Sequence, residues 1–455
     1  MDLSGLVKAY DVRGVVPDQF DESIARALGA AFVDVTGAET IVTAHDMRES
    51  GPGLARAFAD GALHRGASVV EAGLGSTDML YFASGHLNLA GAMFTASHNP
   101  AQYNGIKMCR AGAVAIGQET GLAEIRDRAS VYLAEGMPPA REHGTVTQQD
   151  LLVAYAEYLR GLVDLTGIRP LTVVVDAGNG MGGYTVPSVL GDAHLPALPL
   201  TIIPLYFELD GSFPNHEANP LEPANIVDLQ AKVVETGADL GLAFDGDADR
   251  CFVVDGSGAA VTPSAITALV AERELAKNPG ATIIHNLITS HAVPEVVLEN
   301  GGTPLRTRVG HSFIKAEMAK TNAVFGGEHS AHYYFRDFWF ADTGMLAAMH
   351  VLAALGGQAG TLADLTASYN RYAASGEINS TVTDAAGRLA AVRDTFGVDG
   401  ATVDELDGLT ITRPDGSWFN VRSSNTEPLL RLNVEAGSEA ELTALRDDVL
   451  AVIRG

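Results

Sequence analysis

Short apolar runs alternate with stretches of helical periodicity along most of the chain. The runs predict buried strands, and stretches with apolar residues on one face predict the helices between them. Strands are predicted at residues 40–44, 90–94, 171–175, 239–244 and 282–285, and helices at 23–35, 151–163, 226–236 and 312–319. This alternation predicts α/β layers with largely parallel sheets, whose functional loops lie at the carboxyl ends of the strands.

The similar ends of three predicted strands indicate related domains. Polar segments follow these strands at residues 45–48, 176–179 and 286–289, at a spacing of roughly 110–130 residues, which is too long for a solenoid repeat. From about residue 378 the pattern changes to two strands and a helix over 438–453, which predicts a small α+β domain. Polar stretches rich in glycine and proline separate these units. The expected domains cover residues 1–145, 146–255, 256–374 and 375–455.

Composition narrows the class of protein. The chain is 47% hydrophobic and 19% charged, and it has no apolar run of the ~18 residues that a membrane helix needs. Its first residues do not resemble a secretory signal, and two cysteines, Cys109 and Cys251, cannot form a disulfide framework. We therefore expect a globular cytoplasmic enzyme that has no membrane partner.

The charge balance is strongly acidic. With 56 acidic and 30 basic residues, the formal net charge is −26, which argues against a nucleic-acid partner because such binding needs basic surface. A phosphorylated substrate would then require a local basic pocket or a bound cation. No pattern in the sequence predicts an oligomeric state.

A serine lies in the polar loop that follows the predicted strand at 90–94. Such a serine is often a turn or N-cap residue. Here Ser97 is followed by His98, and Lys107 comes shortly afterwards. A nucleophile needs exposure, a base and a charge stabiliser close together, so the loop is a candidate for nucleophilic chemistry as well as a candidate turn.

Three aspartates occupy alternate positions after another predicted strand: Asp245, Asp247 and Asp249. Alternate carboxylates can turn their oxygens onto one hard cation; the simpler alternative is a solvated acidic turn. An EF-hand loop requires Gly at its sixth position and Glu at its twelfth, and these positions hold Arg250 and Gly256. The EF-hand interpretation, and with it a non-catalytic calcium-binding protein, is disfavoured. The arginine beside the carboxylates indicates that a phosphoryl oxygen also binds here.

Two later loops give weaker signals. Residues 326–332 combine glycines with Glu328 and Ser330, which offer an acceptor and a donor to sugar hydroxyls. Residues 422–428 combine Arg422 with hydroxyls and an amide, as in a phosphate-binding loop. A polar turn is an equal alternative for each loop taken alone.

Residues 178–183 match the G-x-G-x-x-G dinucleotide fingerprint after a predicted strand. The acidic residue expected about 20 positions later is missing around Leu198, so an NAD-linked dehydrogenase is disfavoured. We interpret the segment as a strand–turn–helix junction. The chain also lacks G-x-x-x-x-G-K-[ST], which disfavours a P-loop kinase.

Together and in this order, the four loops resemble those of the α-D-phosphohexomutase superfamily, the phosphomannomutases and phosphoglucomutases. The resemblance extends from residues 10–14, which are similar to the family's N-terminal phosphate-contacting segment, to residues 422–428. It implies an α/β fold of four domains around a central cleft: three related α/β domains with mixed or parallel sheets and a small C-terminal α+β domain. It also implies a mutase that works through a phosphoserine, Mg²⁺ and a hexose 1,6-bisphosphate.

The resemblance assigns a role to each group of candidate residues. The expected Mg²⁺ ligands, the first of which carries the transferable phosphoryl group, are Ser97, Asp245, Asp247 and Asp249. The expected catalytic residues, as charge stabilisers or proton-transfer groups, are Ser97, His98, Lys107, Arg250, His311 and Arg13. The expected substrate-binding residues are Tyr10, Glu328, Ser330, Arg422, Ser424, Asn425 and Thr426.

The chain departs from the family pattern in the loop 286–291, where the family often has a lysine and this sequence has none. In the sugar loop, His329 and Ala331 stand where Met and Gly are common. Segments 213–220 and 328–330 resemble bacterial phosphomannomutases most, so mannose 6-phosphate and mannose 1-phosphate are the expected substrates. The alternatives are phosphoglucomutase as the main activity and a metal-dependent phosphatase that uses the same serine.

Overall fold

A computed structural model of the chain describes residues 2–8, 10–142, 144–398, 400–423 and 429–455. These residues form four sheets that follow one another along the chain, each with its own helices. Among the described helices, none combines the length and the apolar character needed to cross a membrane.

The first domain is built on a mixed sheet. Its elements are β1 (Val12–Val15), α1 (Glu22–Thr36), β2 (Thr40–His45), α2 (Gly51–His64), β3 (Ser68–Leu74), α3 (Thr77–Leu87), β4 (Ala90–Phe94), β5 (Tyr103–Arg110), β6 (Val114–Ala115), α4 (Leu122–Glu135) and β7 (Val146–Gln148). The sheet order is β1-β5-β4-β2-β3-β7, with β6 paired to β5. Strands β4, β2, β3 and β7 are parallel, and β5 is antiparallel to β4. Every residue of β4 is buried, as expected for a central strand that is covered on both faces.

The second domain repeats this plan with fewer strands. Its elements are α5 (Leu152–Leu162), β8 (Leu171–Asp176), α6 (Gly182–Val189), β9 (Leu200–Leu205), α7 (Val227–Thr236), β10 (Leu240–Phe244), β11 (Cys251–Asp255) and β12 (Ala260–Val261). The order is β12-β11-β10-β8-β9. Strands β10, β8 and β9 are parallel, and β11 is antiparallel to β10.

The third domain has the same arrangement of parallel and antiparallel strands. Its elements are α8 (Pro263–Lys277), β13 (Thr282–Asn286), α9 (Ala292–Glu299), β14 (Thr303–Thr307), α10 (His311–Thr321), β15 (Phe325–Gly327), β16 (Tyr333–Phe335), β17 (Ala341–Asp342), α11 (Gly344–Gly356) and α12 (Leu362–Thr366). The order is β14-β13-β15-β16-β17. Strand β13 is parallel to β14 and β15, and β16 is antiparallel to β15.

The fourth domain is an antiparallel sheet with two helices. Its elements are β18 (Ala373–Thr381), α13 (Ala385–Phe396), β19 (Thr402–Asp404), β20 (Leu409–Thr412), β21 (Trp418–Ser423), β22 (Leu429–Ala436) and α14 (Glu439–Arg454). The order is β18-β22-β21-β20-β19. The predicted fold class, with three related α/β domains and a small α+β domain, is confirmed. Because β7 pairs with the first sheet and β12 with the second, those sheets extend past the predicted boundaries at 145 and 255, and the exact boundaries stay predictions.

The apolar core joins the first three domains and leaves the fourth separate. One continuous cluster contains Val42 of β2, Val173 of β8 and Ile283 of β13. The fourth domain has a cluster of its own, which includes Phe419 of β21 and Leu445 of α14. The first three domains therefore share buried surface, whereas the fourth has an independent core.

Candidate active site

Three loops occupy the same topological position in the first three domains. Each connects a parallel strand to its antiparallel neighbour: 95–102 connects β4 to β5, 245–250 connects β10 to β11, and 328–332 connects β15 to β16. The first and second loops touch directly. Ser97 Oγ donates a hydrogen bond to Asp245 Oδ2 at 2.8 Å, so the predicted nucleophile and the predicted metal loop lie together.

The backbone of the serine loop is held in a strained conformation. Ser97 has a φ of 50°, in the left-handed region that non-glycine residues rarely adopt. Arg48, which is buried, donates to the carbonyls of Ser97 at 2.9 Å and Asn99 at 2.6 Å. A Cβ on Gly246 would lie 2.4 Å from the Ser97 carbonyl oxygen, so the close approach of the two loops requires glycine there.

His98 and Arg250 flank the serine hydroxyl. His98 Nδ1 lies 3.1 Å from Ser97 Oγ and accepts a hydrogen bond from Arg250 Nη2 at 2.6 Å. Arg250 also donates from Nε to Asp245 Oδ2 at 2.9 Å. Burial, reinforced by the arginine, holds the pKa of His98 well below its ordinary range, so its imidazole is neutral and can accept.

The three aspartates form a buried cluster that fits a divalent cation. Each offers a carboxylate oxygen within 4.8 Å of the others, and oxygen donors of this kind suit Mg²⁺. The Oδ1 atoms of Asp247 and Asp249 are buried and accept no hydrogen bond from any described residue. Burial raises the pKa of Asp245 although Arg250 opposes the rise, and its two neighbours add to it. A bound cation would relieve this repulsion and satisfy both oxygens.

Lys107 of β5 compensates part of this charge. Its ammonium lies 2.7 Å from Asp247 Oδ2 and 2.5 Å from Asp249 Oδ2. Burial alone would lower the pKa of Lys107, but the two aspartates outweigh burial and hold the pKa well above its ordinary value. The same ion pair holds the pKa of Asp247 below its ordinary value against the effect of burial.

The third loop places Glu328, which is buried, at the carboxyl end of the central strand β15. Glu328 Oε1 accepts from Tyr334 Oη at 2.5 Å, and Oε2 accepts from Asn286 Nδ2 at 3.1 Å. Asn286 is the last residue of β13, so the end of this strand supports the glutamate. Ser330 is partly exposed and lies two residues further along the loop.

Tyr10 and Arg13, the N-terminal candidates, lie in the first domain. The Tyr10 ring packs edge-on against His311 at 4.7 Å between centroids. Burial raises the pKa of Tyr10, Glu328 adds to the rise, and Arg308 and Arg422 oppose it, so groups of the third and fourth domains face this tyrosine. Arg13 donates to Asn99 of the serine loop, and to Asp11 at 2.5 Å. Burial also holds the pKa of His311 well below its ordinary value.

The fourth domain contributes Arg422. Its Nη2 donates to Glu377 Oε2 at 3.1 Å, which orients the guanidinium near the end of β21. The other predicted residues of this loop, Ser424, Asn425 and Thr426, lie outside the described residues.

Several residues of the site were missed by the sequence analysis. His332 closes the third loop: its Nδ1 lies 2.9 Å from Asp342 Oδ2 and 3.9 Å from Asp249 Oδ1. Burial would lower the pKa of His332, but the two aspartates outweigh burial and raise it. The only signal in the sequence was its position at the end of the glycine-containing segment 326–332. Arg48 gave a similar weak signal, in a polar segment that follows a strand.

The glycines at 178–183 have a structural role. A Cβ on Gly180 would lie 2.6 Å from the carbonyl oxygen of Gly246, and Met181 N–H donates to that oxygen at 2.9 Å. The turn after β8 thus packs directly against the 245–250 loop. This agrees with its interpretation as a strand–turn–helix junction.

Comparison with protein-family models matches all four domains. The models are phosphoglucomutase/phosphomannomutase alpha/beta/alpha domain I over residues 4–132, domain II over 153–258, domain III over 262–372, and the C-terminal domain over 377–452. Together they cover most of the chain.

Whole-chain relatives agree with these matches. A protein of Xanthomonas campestris pv. campestris named phosphohexose mutases is 42% identical over 455 residues, covering 98% of this chain and 99% of the relative. A phosphomannomutase of Escherichia coli is 39% identical over 453 residues, covering 98% of each chain. The crystal structure of a phosphoglucomutase/phosphomannomutase family protein from Burkholderia thailandensis superposes with a TM-score of 0.89 at 34% identity, covering 100% of this chain and 98% of the other. The chain therefore belongs to the phosphoglucomutase/phosphomannomutase family and is a phosphohexose mutase.

Proposed function

We propose that this mutase interconverts mannose 6-phosphate and mannose 1-phosphate, with Ser97 as the residue that carries the phosphoryl group. The observation that carries the proposal is the 2.8 Å hydrogen bond between Ser97 Oγ and Asp245 Oδ2, next to Arg250. Phosphoryl transfer depends mainly on positioning and on stabilising negative charge. The hydrogen bond to Asp245 positions the Ser97 hydroxyl, and the buried Arg250, which pairs with the same carboxylate, supplies positive charge beside it.

The reaction consists of two transfers that balance each other. In the first, the bond from phosphorus to Ser97 Oγ breaks while phosphorus bonds to the free O1 of the hexose 6-phosphate, and the sugar hydroxyl proton passes to Oγ. The resulting hexose 1,6-bisphosphate turns end for end. In the second, the bond from phosphorus to O6 breaks, the phosphoryl group returns to Oγ, and the proton passes to O6. The same bisphosphate, supplied from solution, would phosphorylate the free serine.

Asp245, Asp247 and Asp249 would hold Mg²⁺ together with an oxygen of the phosphorylated Ser97. When bound, Mg²⁺ supplies positive charge that stabilises the oxygens of the transferring group. The chain's own residues position and neutralise that group. Arg250 and Lys107 contribute positive charge, and His98, whose Nδ1 lies 3.1 Å from Ser97 Oγ, accepts a hydrogen bond from the arginine.

The remaining candidates would bind the rest of the substrate. Glu328 and Ser330 would contact sugar hydroxyls. Hydrogen bonds from Tyr334 and Asn286 hold the glutamate in position for this contact. Arg422, with Ser424, Asn425 and Thr426, would bind the phosphate that is not reacting. Tyr10 and Arg13 of the first domain and His311 of the third are candidates for phosphate contact and proton transfer.

The preference for mannose rests on the relatives named phosphomannomutase and on the sequence of the third loop. A coupled assay with mannose 1-phosphate, glucose 1-phosphate and glucosamine 1-phosphate tests it. We expect the highest kcat/KM with mannose 1-phosphate. A higher value with glucose 1-phosphate would assign the chain as a phosphoglucomutase. Release of free phosphate in place of isomer would make it a phosphatase.

A further inference from the structure

The first residue of helix α3 touches the metal loop twice. Thr77 Oγ1 donates to Asp247 Oδ2 at 2.5 Å, and the Thr77 backbone N–H donates to the Asp247 carbonyl at 3.0 Å. Thr77 is fully buried and belongs to the first domain, whereas Asp247 belongs to the second. A threonine far away in sequence therefore fixes both the backbone and the side chain of one aspartate.

These contacts determine which carboxylate oxygen of Asp247 is left for a cation. Oδ2 is taken by the Thr77 hydroxyl and by the Lys107 ammonium at 2.7 Å. Oδ1 is buried and accepts no hydrogen bond from the part of the chain that the structure describes. Turning the carboxylate away would leave the Thr77 hydroxyl unpaired and reduce Lys107 to its contact with Asp249, which would be costly in a buried site.

The start of α3 is itself fixed by Asp78, which connects three domains. Its Oδ1 accepts from Ser76 Oγ. Its Oδ2 accepts from Tyr155 Oη of the second domain and from Thr343 Oγ1 of the third, each at 2.6 Å. Asp78 is only 1% exposed. Its carboxylate, whose two oxygens both accept hydrogen bonds, is therefore enclosed where the first three domains meet.

We propose that Thr77 is a positioning residue that presents Asp247 Oδ1 to a divalent cation. Asp78 keeps Thr77 in place by joining the first three domains. The inference rests on the proposed function, because it needs a cation at the 245–249 loop. Partners that orient a metal ligand from behind typically change metal affinity 10–100-fold when they are removed. Thr77 is expected to act in this way.

The test measures Mg²⁺ binding to the full-length protein by titration calorimetry, with no sugar phosphate present. We expect Thr77→Val to weaken Mg²⁺ binding by about tenfold or more, while Thr77→Ser, which restores the hydroxyl, stays close to wild type. Thr366→Val is the matched control, because Thr366 is also buried and donates to a backbone carbonyl, that of Leu362 at 2.9 Å, but lies on α12. If Thr77→Val does not fold, Thr77→Ala takes its place.

A second readout is the rise in melting temperature that Mg²⁺ causes, because a ligand bound to the folded state stabilises it. We expect this rise to shrink in Thr77→Val and to persist in Thr77→Ser and Thr366→Val. Unchanged Mg²⁺ affinity in Thr77→Val would overturn the inference. Asp247→Asn distinguishes failure of the positioning role from failure of the metal site. If Asp247→Asn weakens Mg²⁺ binding while Thr77→Val does not, only the positioning role fails. If neither variant changes binding, the proposed metal site fails as well.

Discussion

At the scale of single residues, the site is a set of buried charges that compensate one another only in part. Lys107 and Arg250 face three carboxylates, and two of the carboxylate oxygens accept no hydrogen bond from any described residue. An uncompensated buried charge is expensive. The three carboxylates therefore keep buried negative charge that a divalent cation would neutralise.

Removing the lysine should expose this imbalance. We expect Lys107→Met to destabilise the protein by about 3 kcal/mol, because it breaks a buried ion pair with Asp247 and Asp249. Mg²⁺ should recover part of the loss by taking over the compensation. Thermal melts with and without Mg²⁺ check this, with Lys232→Met as the control, because Lys232 pairs with Glu235 on the surface. An equal loss with and without Mg²⁺ would contradict the account.

Asp78 predicts a pH dependence of stability. Burial raises its pKa from 3.8 to about 6, although its hydroxyl partners oppose the rise. The folded protein thus keeps this proton to a higher pH than the unfolded chain, so the stabilisation is complete below about pH 4 and is lost as pH rises through 6. Asn cannot titrate in this range. We expect the stability of Asp78→Asn relative to wild type to increase by about 1 kcal/mol from pH 5 to pH 7.

Denaturation curves of Asp78→Asn and wild type at both pH values measure this difference. A pH-independent difference between the two proteins would show that the carboxyl keeps an ordinary pKa in the folded state.

At the scale of elements, the loops that follow β4 and β10 meet through backbone contact. The Ser97 carbonyl lies where a Cβ of residue 246 would stand, at 2.4 Å. We expect Gly246→Ala to separate the two loops and lower kcat by about 100-fold, since a misplacement of about 1 Å can cost that much. The control is Gly161→Ala in α5, where an added Cβ meets nothing within 4 Å. Equal activity of both variants would contradict a tight contact between the loops.

The sequence predicts much of this architecture at the level of elements. Uniformly apolar runs mark β4 and β10, and the rule that functional loops follow parallel strands places Ser97 and the aspartates at strand ends. Helix ends differ from the predictions by one or two residues in either direction: α1 covers Glu22–Thr36 where 23–35 was predicted, and α5 covers Leu152–Leu162 where 151–163 was predicted. The apolar face does not define where a helix begins and ends.

The pattern of hydrophobic and polar residues does not predict contacts between loops of different domains. Thr77 and Asp247 are 170 residues apart in sequence, and a helix-start threonine is usually only a local cap. His332 lies beside Asp249 because the third loop folds back over the second domain. Neither Thr77 nor His332 belongs to a sequence motif with a defined spacing. Their roles can be inferred only from the structure, in which the domains are in contact.

At the scale of the whole molecule, the fourth domain has a core of its own, and its described residues contact the third domain through an aromatic stack, hydrogen bonds and an ion pair between Arg306 and Asp404. The His291 ring stacks on Trp418 at 5.1 Å, and His291 N–H donates to Glu435 at 3.0 Å. Val309 N–H donates to Asp407 at 3.0 Å. The other three domains share a continuous core and the Asp78 junction. Arg422 is carried by the domain that has its own core.

We therefore expect the fourth domain to rotate toward the other three when a sugar phosphate binds, while those three move as one body. Small-angle X-ray scattering with and without glucose 1,6-bisphosphate should show a smaller radius of gyration in the bound state. Arg422→Ala, which removes the proposed phosphate contact without disturbing the core of that domain, should abolish the change. Identical scattering profiles for free and bound wild-type protein would argue against domain closure.

The central claim is that Ser97 carries the phosphoryl group, and the most direct test is to locate that group by mass. The protein is incubated with glucose 1,6-bisphosphate and Mg²⁺, and intact-protein and peptide mass spectrometry then follow. We expect a single added phosphoryl group that maps to Ser97, and we expect Ser97→Ala to lose both this group and mutase activity. A phosphoryl group on another residue, or full activity in Ser97→Ala, would contradict it.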